Sequence, residues 1–293
     1  MTTAAHRRAR TFRDVLEPVI GGVFFSPECH AQYESLGFQP SPLTSDGVAL
    51  PDGVAYFGSR GASMGRVAGE VVAAAFAVFN PAAVVPAIDM AWAISTPEDL
   101  VEARVSGAVA QLRRILGDPP EVREVADALI DAVNGAPPAG RPLYAGTLSM
   151  PYTGEDDWRD LFVAGDRIRE YRGDSHTAAW TAAGFDAVEI GLLTELFWGL
   201  PMRSYLRTRA WNDTDMDDAV ARLRARSLID DGAFTDAGRM AREAVEATTD
   251  EQMLRVTDRL GDDFDRVNEV LRAWSRQIID AGGYLRSAKS LTG

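Results

Sequence analysis

Apolar side chains recur every three to four residues along most of this chain, and that spacing confines it to a mainly helical fold. Phe12, Val15, Leu16, Val19, Ile20 and Val23 make one stripe, and Trp158, Leu161, Phe162, Ile168 and Tyr171 a second. Phe264, Val267, Val270, Leu271, Trp274 and Ile278 make a third. A period of 3.6 residues places each set on one face of a helix, so these faces are expected to form the core. Pro18 falls inside the first stripe; that helix either begins there or bends there. With 293 residues, 46% of them hydrophobic, the chain can bury a full core, which excludes disorder. No apolar run approaches the roughly 20 residues that cross a bilayer. Arg7, Arg8 and Arg10 lead into mixed sequence and not into the apolar block of an export signal. The expectation is a soluble, cytoplasmic protein with no membrane partner. A lone cysteine, Cys29, rules out an internal disulfide and a zinc site built on several thiolates.

Three segments recur in the same order in the two halves. HAQYESLGF (His30 to Phe38) is similar to HTAAWTAAGF (His176 to Phe185), and FNPAAVVPAIDMAW (Phe79 to Trp92) to FWGLPMRSYLRTRAW (Phe197 to Trp211). AVAQLRRIL (Ala108 to Leu116) is similar to AVARLRARSLI (Ala219 to Ile229). Between them, Ala136 to Pro151 is rich in proline and glycine and carries no helical pattern, which makes it the candidate linker. The first half also holds a glycine-rich insertion, residues 39–65, with no counterpart in the second. A tandem duplication would pack its halves about a pseudo-two-fold axis, as a homodimer packs about a real one.

From Phe185 to Thr249 the pattern runs helix, short turn, helix, turn, longer helix, then an acidic turn at Asp230-Asp231-Gly232, a short Ala233-Phe234-Thr235 run and a helix from Asp236. That order resembles a winged helix. The run ARLRARSLIDDGAFTDAGRMAREAVEA is similar to the end of the reading helix, the wing and the following helix of MarR-type regulators. Through FFSPE (Phe24 to Glu28), AYFGSRGASMG (Ala55 to Gly65), FNP (Phe79 to Pro81) and EYRGDSH (Glu170 to His176), the whole chain also resembles an uncharacterised actinobacterial helix-turn-helix family. The resemblance implies a fold and a set of positions, and no reaction.

A winged helix invites DNA, yet the charges oppose it. The helix matching the MarR-type reading helix opens Asn212-Asp213-Thr214-Asp215-Met216-Asp217-Asp218, and its first-half counterpart opens Ser95-Thr96-Pro97-Glu98-Asp99. Carboxylates suit a helix N-terminus, but aimed at a duplex they repel phosphate and release no counterions. With 43 acidic against 30 basic residues the net charge is −13, which works against nonspecific adhesion to nucleic acid. The sequence therefore points away from a nucleic-acid partner.

The remaining candidates are polar. In Arg172-Gly173-Asp174-Ser175-His176, Gly173 can end one helix while Asp174 or Ser175 caps the next. Alternatively a neutral His176, beside a carboxylate and a guanidinium, orients a polar ligand. Glu28-Cys29-His30 occupies the matching place in the first half. Adjacent helical residues diverge by about 100 degrees, so it is no metal site by itself, and no metal is assigned. Tyr56 to Arg66, with Arg60 and several glycines, fits neither nucleotide fingerprint. It suits either an anion at a loop and helix start or close packing of small residues. Asn80 is a turn residue or a polar contact in the same cavity.

Together these observations give a mainly α fold of two degenerate winged-helix halves, residues 1–140 and 141–293, forming a monomeric single-chain pseudo-dimer. Its expected function is to bind a small anionic, partly aromatic molecule, and possible chemistry on it, after loss of DNA binding. Glu28, His30, Tyr56, Arg60, Asn80, Arg172, Asp174 and His176 are the expected ligand contacts; neither a cofactor nor catalytic residues are indicated. The alternative is a ligand-responsive MarR-like transcriptional regulator that binds DNA.

Overall fold

A computed structural model of the protein describes residues 3–45 and 48–286; residues 46–47 of the expected insertion and the extreme ends of both expected halves lie outside them. The chain is mainly α-helical. In order it forms α1 (Ala4–Gly21), α2 (Pro27–Ser35), β1 (Leu43–Ser45), β2 (Val48–Leu50), α3 (Gly53–Gly61), α4 (Gly69–Phe76) and α5 (Pro81–Ile94). Then come α6 (Pro97–Leu116), α7 (Val122–Val133), α8 (Pro142–Thr147), α9 (Asp157–Ala182) and α10 (Ala187–Trp198). The chain continues with α11 (Ser204–Arg207), α12 (Asp213–Ala225), β3 (Ile229–Asp230), β4 (Ala233–Phe234), α13 (Asp236–Thr257) and α14 (Phe264–Asp280).

Local chemistry accounts for most of these boundaries. Ser26, Asp52, Asn80, Thr96, Asn212 and Thr235 each cap a helix by accepting a backbone N–H in its first turn. Asp186 and Glu189 form a reciprocal capping box at the start of α10. Helix α1 begins well before Pro18 and continues through it. The two sheets are antiparallel hairpins, β1 with β2 (Leu43 opposite Leu50) and β3 with β4 (Ile229 opposite Phe234).

All three stripes are buried, save the half-buried Val270, in one core that joins α1, α2, α6, α7, α9, α13 and α14. Helix α9 is its axis, and a buried bidentate pair of Arg104 on α6 with Asp166 on α9, at 2.7 and 2.8 Å, stitches two of its helices together. A second cluster unites the end of α9 with α10, α11, α12, β3 and α13, and a third joins α3, α4, α5 and Leu143 of α8.

The architecture gives no evidence for the two-lobed pseudo-dimer expected from sequence. The main core draws on residues from Ala9 to Leu285 and crosses the chain's midpoint. Of the segments that match in sequence, residues 30–38 and 176–185 both end a helix at a glycine of positive φ, and residues 108–116 and the start of 219–229 are both helical, whereas residues 79–92 and 197–211 differ. Asn80 and Pro81 start the continuous helix α5, whereas Gly199, in a left-handed conformation, ends α10 and leaves only the single turn of α11 before Trp211. After α12 the chain makes the β3–β4 hairpin; after α6 it passes through Gly117 directly to α7. The candidate linker contains α8, held to the body when Asp174 accepts the Tyr144 N–H at 2.9 Å.

Candidate functional site

A cavity of about 1020 Å³ opens where the α10–α12 segment meets the rest of the molecule. Helical spacing builds its walls. Arg169, Arg172, Gly173, His176 and Trp180 form one face of α9, while Tyr56, Phe57 and Arg60 come from α3 and Phe12, Arg13 and Glu17 from α1. Arg242 and Glu246 of α13 stand beside them, and across from these are Ile190, Gly191, Thr194 and Trp198 of α10 and the 207–210 turn. A shallower depression at the start of α10 is floored by Asp186, Glu189, Arg222 and Arg226, whose charges pair with one another.

Two ionic groups line the main cavity. In the first, Arg60 bonds Glu170 at 3.0 and 3.2 Å, and Arg169 bridges Glu170 and Glu17 at 2.9 and 3.1 Å. Burial favours a protonated Glu170, but Arg60 and Arg169 outweigh it and hold the carboxyl down to about 2. In the second, Glu246 is alone at the meeting point of Arg242 (2.8 Å), Arg172 (3.1 Å) and Arg13 (3.5 Å). Burial would raise this carboxyl, yet the arginines, Arg172 and Arg242 foremost, hold it down to about 2. His176 lies 4.0 Å from Glu246. Burial, only partly opposed by that carboxylate, lowers its pKa to about 3, so its imidazole is neutral.

Of the eight residues expected from sequence, Tyr56, Arg60, Arg172 and His176 meet at this cavity. The other four are placed elsewhere. Glu28 takes a hydrogen bond from Ser26 at 3.0 Å and pairs with Arg114. His30 is buried with Nε2 3.2 Å from the Phe24 carbonyl, Asp174 caps α8, and Asn80 caps α5. Gly173 ends no helix: α9 runs through the whole Arg172–His176 motif, which is what turns Arg172 and His176 to the same face. The glycines near Arg60 serve close packing, because a Cβ on Gly58 would come within 2.7 Å of the Ala91 Cβ. Sequence reasoning missed Arg13, Arg169, Arg242 and Glu246; the available signal was their spacing, with Arg169, Arg172 and His176 on one helical face and Arg242 and Glu246 four apart. Among the described residues no group of three or more His, Cys, Asp or Glu side chains is placed to hold a metal ion, and no helix is long and apolar enough to cross a membrane.

Beside the cavity, helices α10, α11 and α12 and the β3–β4 hairpin follow in the order expected from the sequence. The start of α12 is less negative than its sequence suggests, because Arg207 pairs with Asp213 at 2.5 Å and Arg203 with Asp217 at 2.6 Å. The turn into α12 is fastened to residues 78–80 by three hydrogen bonds. Asn80 donates its backbone N–H to Arg209 O and its Nδ2 to Ala210 O, both at 3.0 Å, and Trp211 Nε1 donates to Val78 O at 2.9 Å. Ala77 and Ala210 flank this clasp with positive φ, 48° and 62°, a conformation that non-glycine residues rarely hold without tertiary support.

The profile of a helix-turn-helix family matches residues 9–285. No curated protein and no solved structure matches the chain. The family match overturns the expectations that DNA binding has been lost and that nucleic acid is not a partner. Of the carboxylates that open α12, Asp213 and Asp217 pair with Arg207 and Arg203 of the preceding segment.

Proposed function

Because the chain belongs to this helix-turn-helix family, we propose that it is a DNA-binding regulator whose grip on its operator is set by a small molecule in the 1020 Å³ cavity. In this reading residues 187–257 are a MarR-like winged helix, with α12 entering the major groove and β3–β4 as the wing. Arg222 and Arg224 on α12, and Arg226 just past its end, face solvent; Arg222 and Arg226 pair with Asp186 and Glu189, whereas Arg224 has no ion-pair partner among the described residues. Such arginines contact phosphate and position the helix.

One observation carries the regulatory half. The cavity is walled on one side by α1, α3, α9 and α13 and on the other by α10 and the turn into α12, so an occupant touches the mounting of the reading helix. A ligand shifts an equilibrium only by binding one arrangement better than another, and this location supplies the contact through which it does so.

Selection from a random duplex library with the full chain, at about 0.15 M salt, tests the DNA half. The expected result is one enriched motif, bound with an affinity that falls steeply as salt rises, and weakened by Arg224→Ala. If no motif is enriched and no duplex is retained at about 0.05 M salt, the reading is overturned.

A further inference from the structure

We propose that the ligand of this cavity is an uncharged phenol, whose hydroxyl donates a hydrogen bond to His176 Nε2. The inference rests on the regulatory half of the function above, which places a small molecule in the cavity, and names the chemical class of that molecule.

The charged groups of the wall are already matched. Arg10, Arg13, Arg172 and Arg242 face Asp14, Glu243, Glu246 and Asp250, four against four. Arg60 and Arg169 face Glu170 and Glu17, two against two. An anion brought to either group competes with a carboxylate already in place. Of the other cations on the wall, Arg207 pairs with Asp213 and Arg286 is exposed to solvent. Arg209 lies over the rings of Phe79 and Tyr205 and donates to the hydroxyls of Tyr205 and Thr208.

What the wall leaves open is uncharged. Thr194, on the face of α10 between Ile190 and Trp198, is 8% exposed, yet its hydroxyl has no partner among the described residues. Thr181, Thr249 and Thr257 return theirs to the carbonyl four residues back, as helical threonines commonly do. The Tyr56 hydroxyl on α3 is likewise without a partner among the described residues. Buried polar groups in folded proteins are nearly all paired, so open ones on a cavity wall mark where an occupant bonds.

His176 is the third such group, and its open atom is an acceptor. Thr249 gives its only hydroxyl hydrogen to Val245 O at 2.8 Å, so the 3.0 Å contact with His176 runs from Nδ1–H to Thr249 Oγ1. The Glu246 carboxylate, 4.0 Å from the same nitrogen, favours a proton there. The ring is neutral, so Nε2 carries a bare lone pair. The side chain is 21% exposed on the cavity wall, which leaves that lone pair within reach of a ligand. A lone pair accepts an O–H hydrogen; a carboxylate has none to give. Aromatic faces then select the body that carries the hydroxyl. Tyr56, Phe79, Trp180 and Trp198 line the cavity, and Tyr56 meets Phe24 at 5.1 Å and Phe79 at 5.7 Å between ring centroids, a tilted packing that a further ring continues. A volume of about 1020 Å³ holds a two-ring molecule.

Calorimetric titration of the full chain with two matched sets decides the matter. 2-Naphthol and 4-phenylphenol are each compared with the analogue bearing methoxy in place of hydroxyl, with the analogue bearing carboxylate there, and with the fully saturated alcohol. The expected result is that at least one phenol binds about fivefold or more tightly than all three of its analogues, the gain of one net hydrogen bond, and that His176→Phe abolishes its preference over the methyl ether. The comparison within the unaltered chain stands even if His176→Phe does not fold. A phenol no tighter than its ether, an acid or a saturated alcohol as tight as the phenol, binding of neither set, or a preference that survives His176→Phe overturns the proposal. Duplex retention, measured with and without the bound phenol, reports on the regulatory reading separately: a phenol that binds with the expected preference and leaves retention unchanged overturns that reading and upholds the ligand class.

Discussion

Gly238→Ala is the sharpest probe of how the β3–β4 hairpin is seated. Gly238 lies in the first turn of α13, its N–H given to the Thr235 hydroxyl at 3.0 Å. A Cβ there would sit 1.9 Å from Leu228 O and 2.8 Å from the same carbonyl's carbon. That is about 1.5 Å inside ordinary contact, and the obstacle is backbone that cannot swing away as a side chain can. The same oxygen accepts the Thr235 N–H and hydroxyl, both at 3.1 Å. Relieving the clash means separating the hairpin from α13, which forfeits those bonds. Overpacking costs about 1–3 kcal/mol and the lost hydrogen bonding adds about 1 kcal/mol, so a loss of about 2–4 kcal/mol is expected. Urea denaturation at unchanged m-value measures it, and amide exchange at 228–235 localises it. Gly173→Ala is the control. Its Cβ would meet only Glu170 Oε2, at 3.7 Å, in a helix interior, and the alanine should stabilise by about 0.5–1 kcal/mol. A Gly238→Ala protein within about 0.5 kcal/mol of the parent, with hairpin exchange unchanged, refutes the reasoning.

Asp174 is raised by burial from 3.8 to about 7 although it accepts the Tyr144 N–H. Between those values the folded chain binds more protons than the unfolded one, so this group's stabilisation is lost as pH rises through about 7. Asp174→Asn keeps an acceptor for Tyr144 and should gain stability relative to the parent on going from about pH 5 to about pH 8; denaturation midpoints showing the same difference at both pH values would refute this. Arg60→Met strands the buried Glu170 carboxylate with Arg169 alone and should cost about 3 kcal/mol, most of it recovered in the double variant with Glu170→Gln. Cys29 is fully buried, which pushes its thiol up to about 12. It should resist a disulfide reagent in the native chain and react on denaturation; comparable rates in both states would count against this.

The helices and their buried faces were legible because period and caps are local signals. Phe12 to Ile20 and Phe264 to Ile278 lie inward as their spacing indicates, and Asn212, Thr235 and Asp186 start helices as their side chains allow. The turn at Asp231-Gly232 was equally plain. What escaped was tertiary. Gly173 looks like a helix end, yet burial of Tyr171, Asp174 and Ser175 on both sides carries α9 past it. The first repeated pair ends alike, at Gly37 and Gly184, but Gly199 and Gly117 then send the two copies along different paths that no local signal announces. Four of the residues singled out from sequence, Tyr56, Arg60, Arg172 and His176, line the candidate cavity. Arg242 was not legible, since nothing local distinguishes a buried arginine from a surface one.

The clasp between Asn80 and the turn before Trp211 gives α12 a fulcrum. The helix has 13 residues, so it reaches about 20 Å from that fixed point. A tilt of about 5 degrees at the clasp carries the far end nearly 2 Å, about half the 3.4 Å rise between successive nucleotides of one strand. Phe79, flanked by Val78 and Asn80 of the clasp, has its ring on the cavity wall, 4.8 Å under the Arg209 guanidinium. If α12 reads DNA as proposed, a displacement there of less than the width of an atom is magnified to a distance at which the helix falls out of step with the bases it faces.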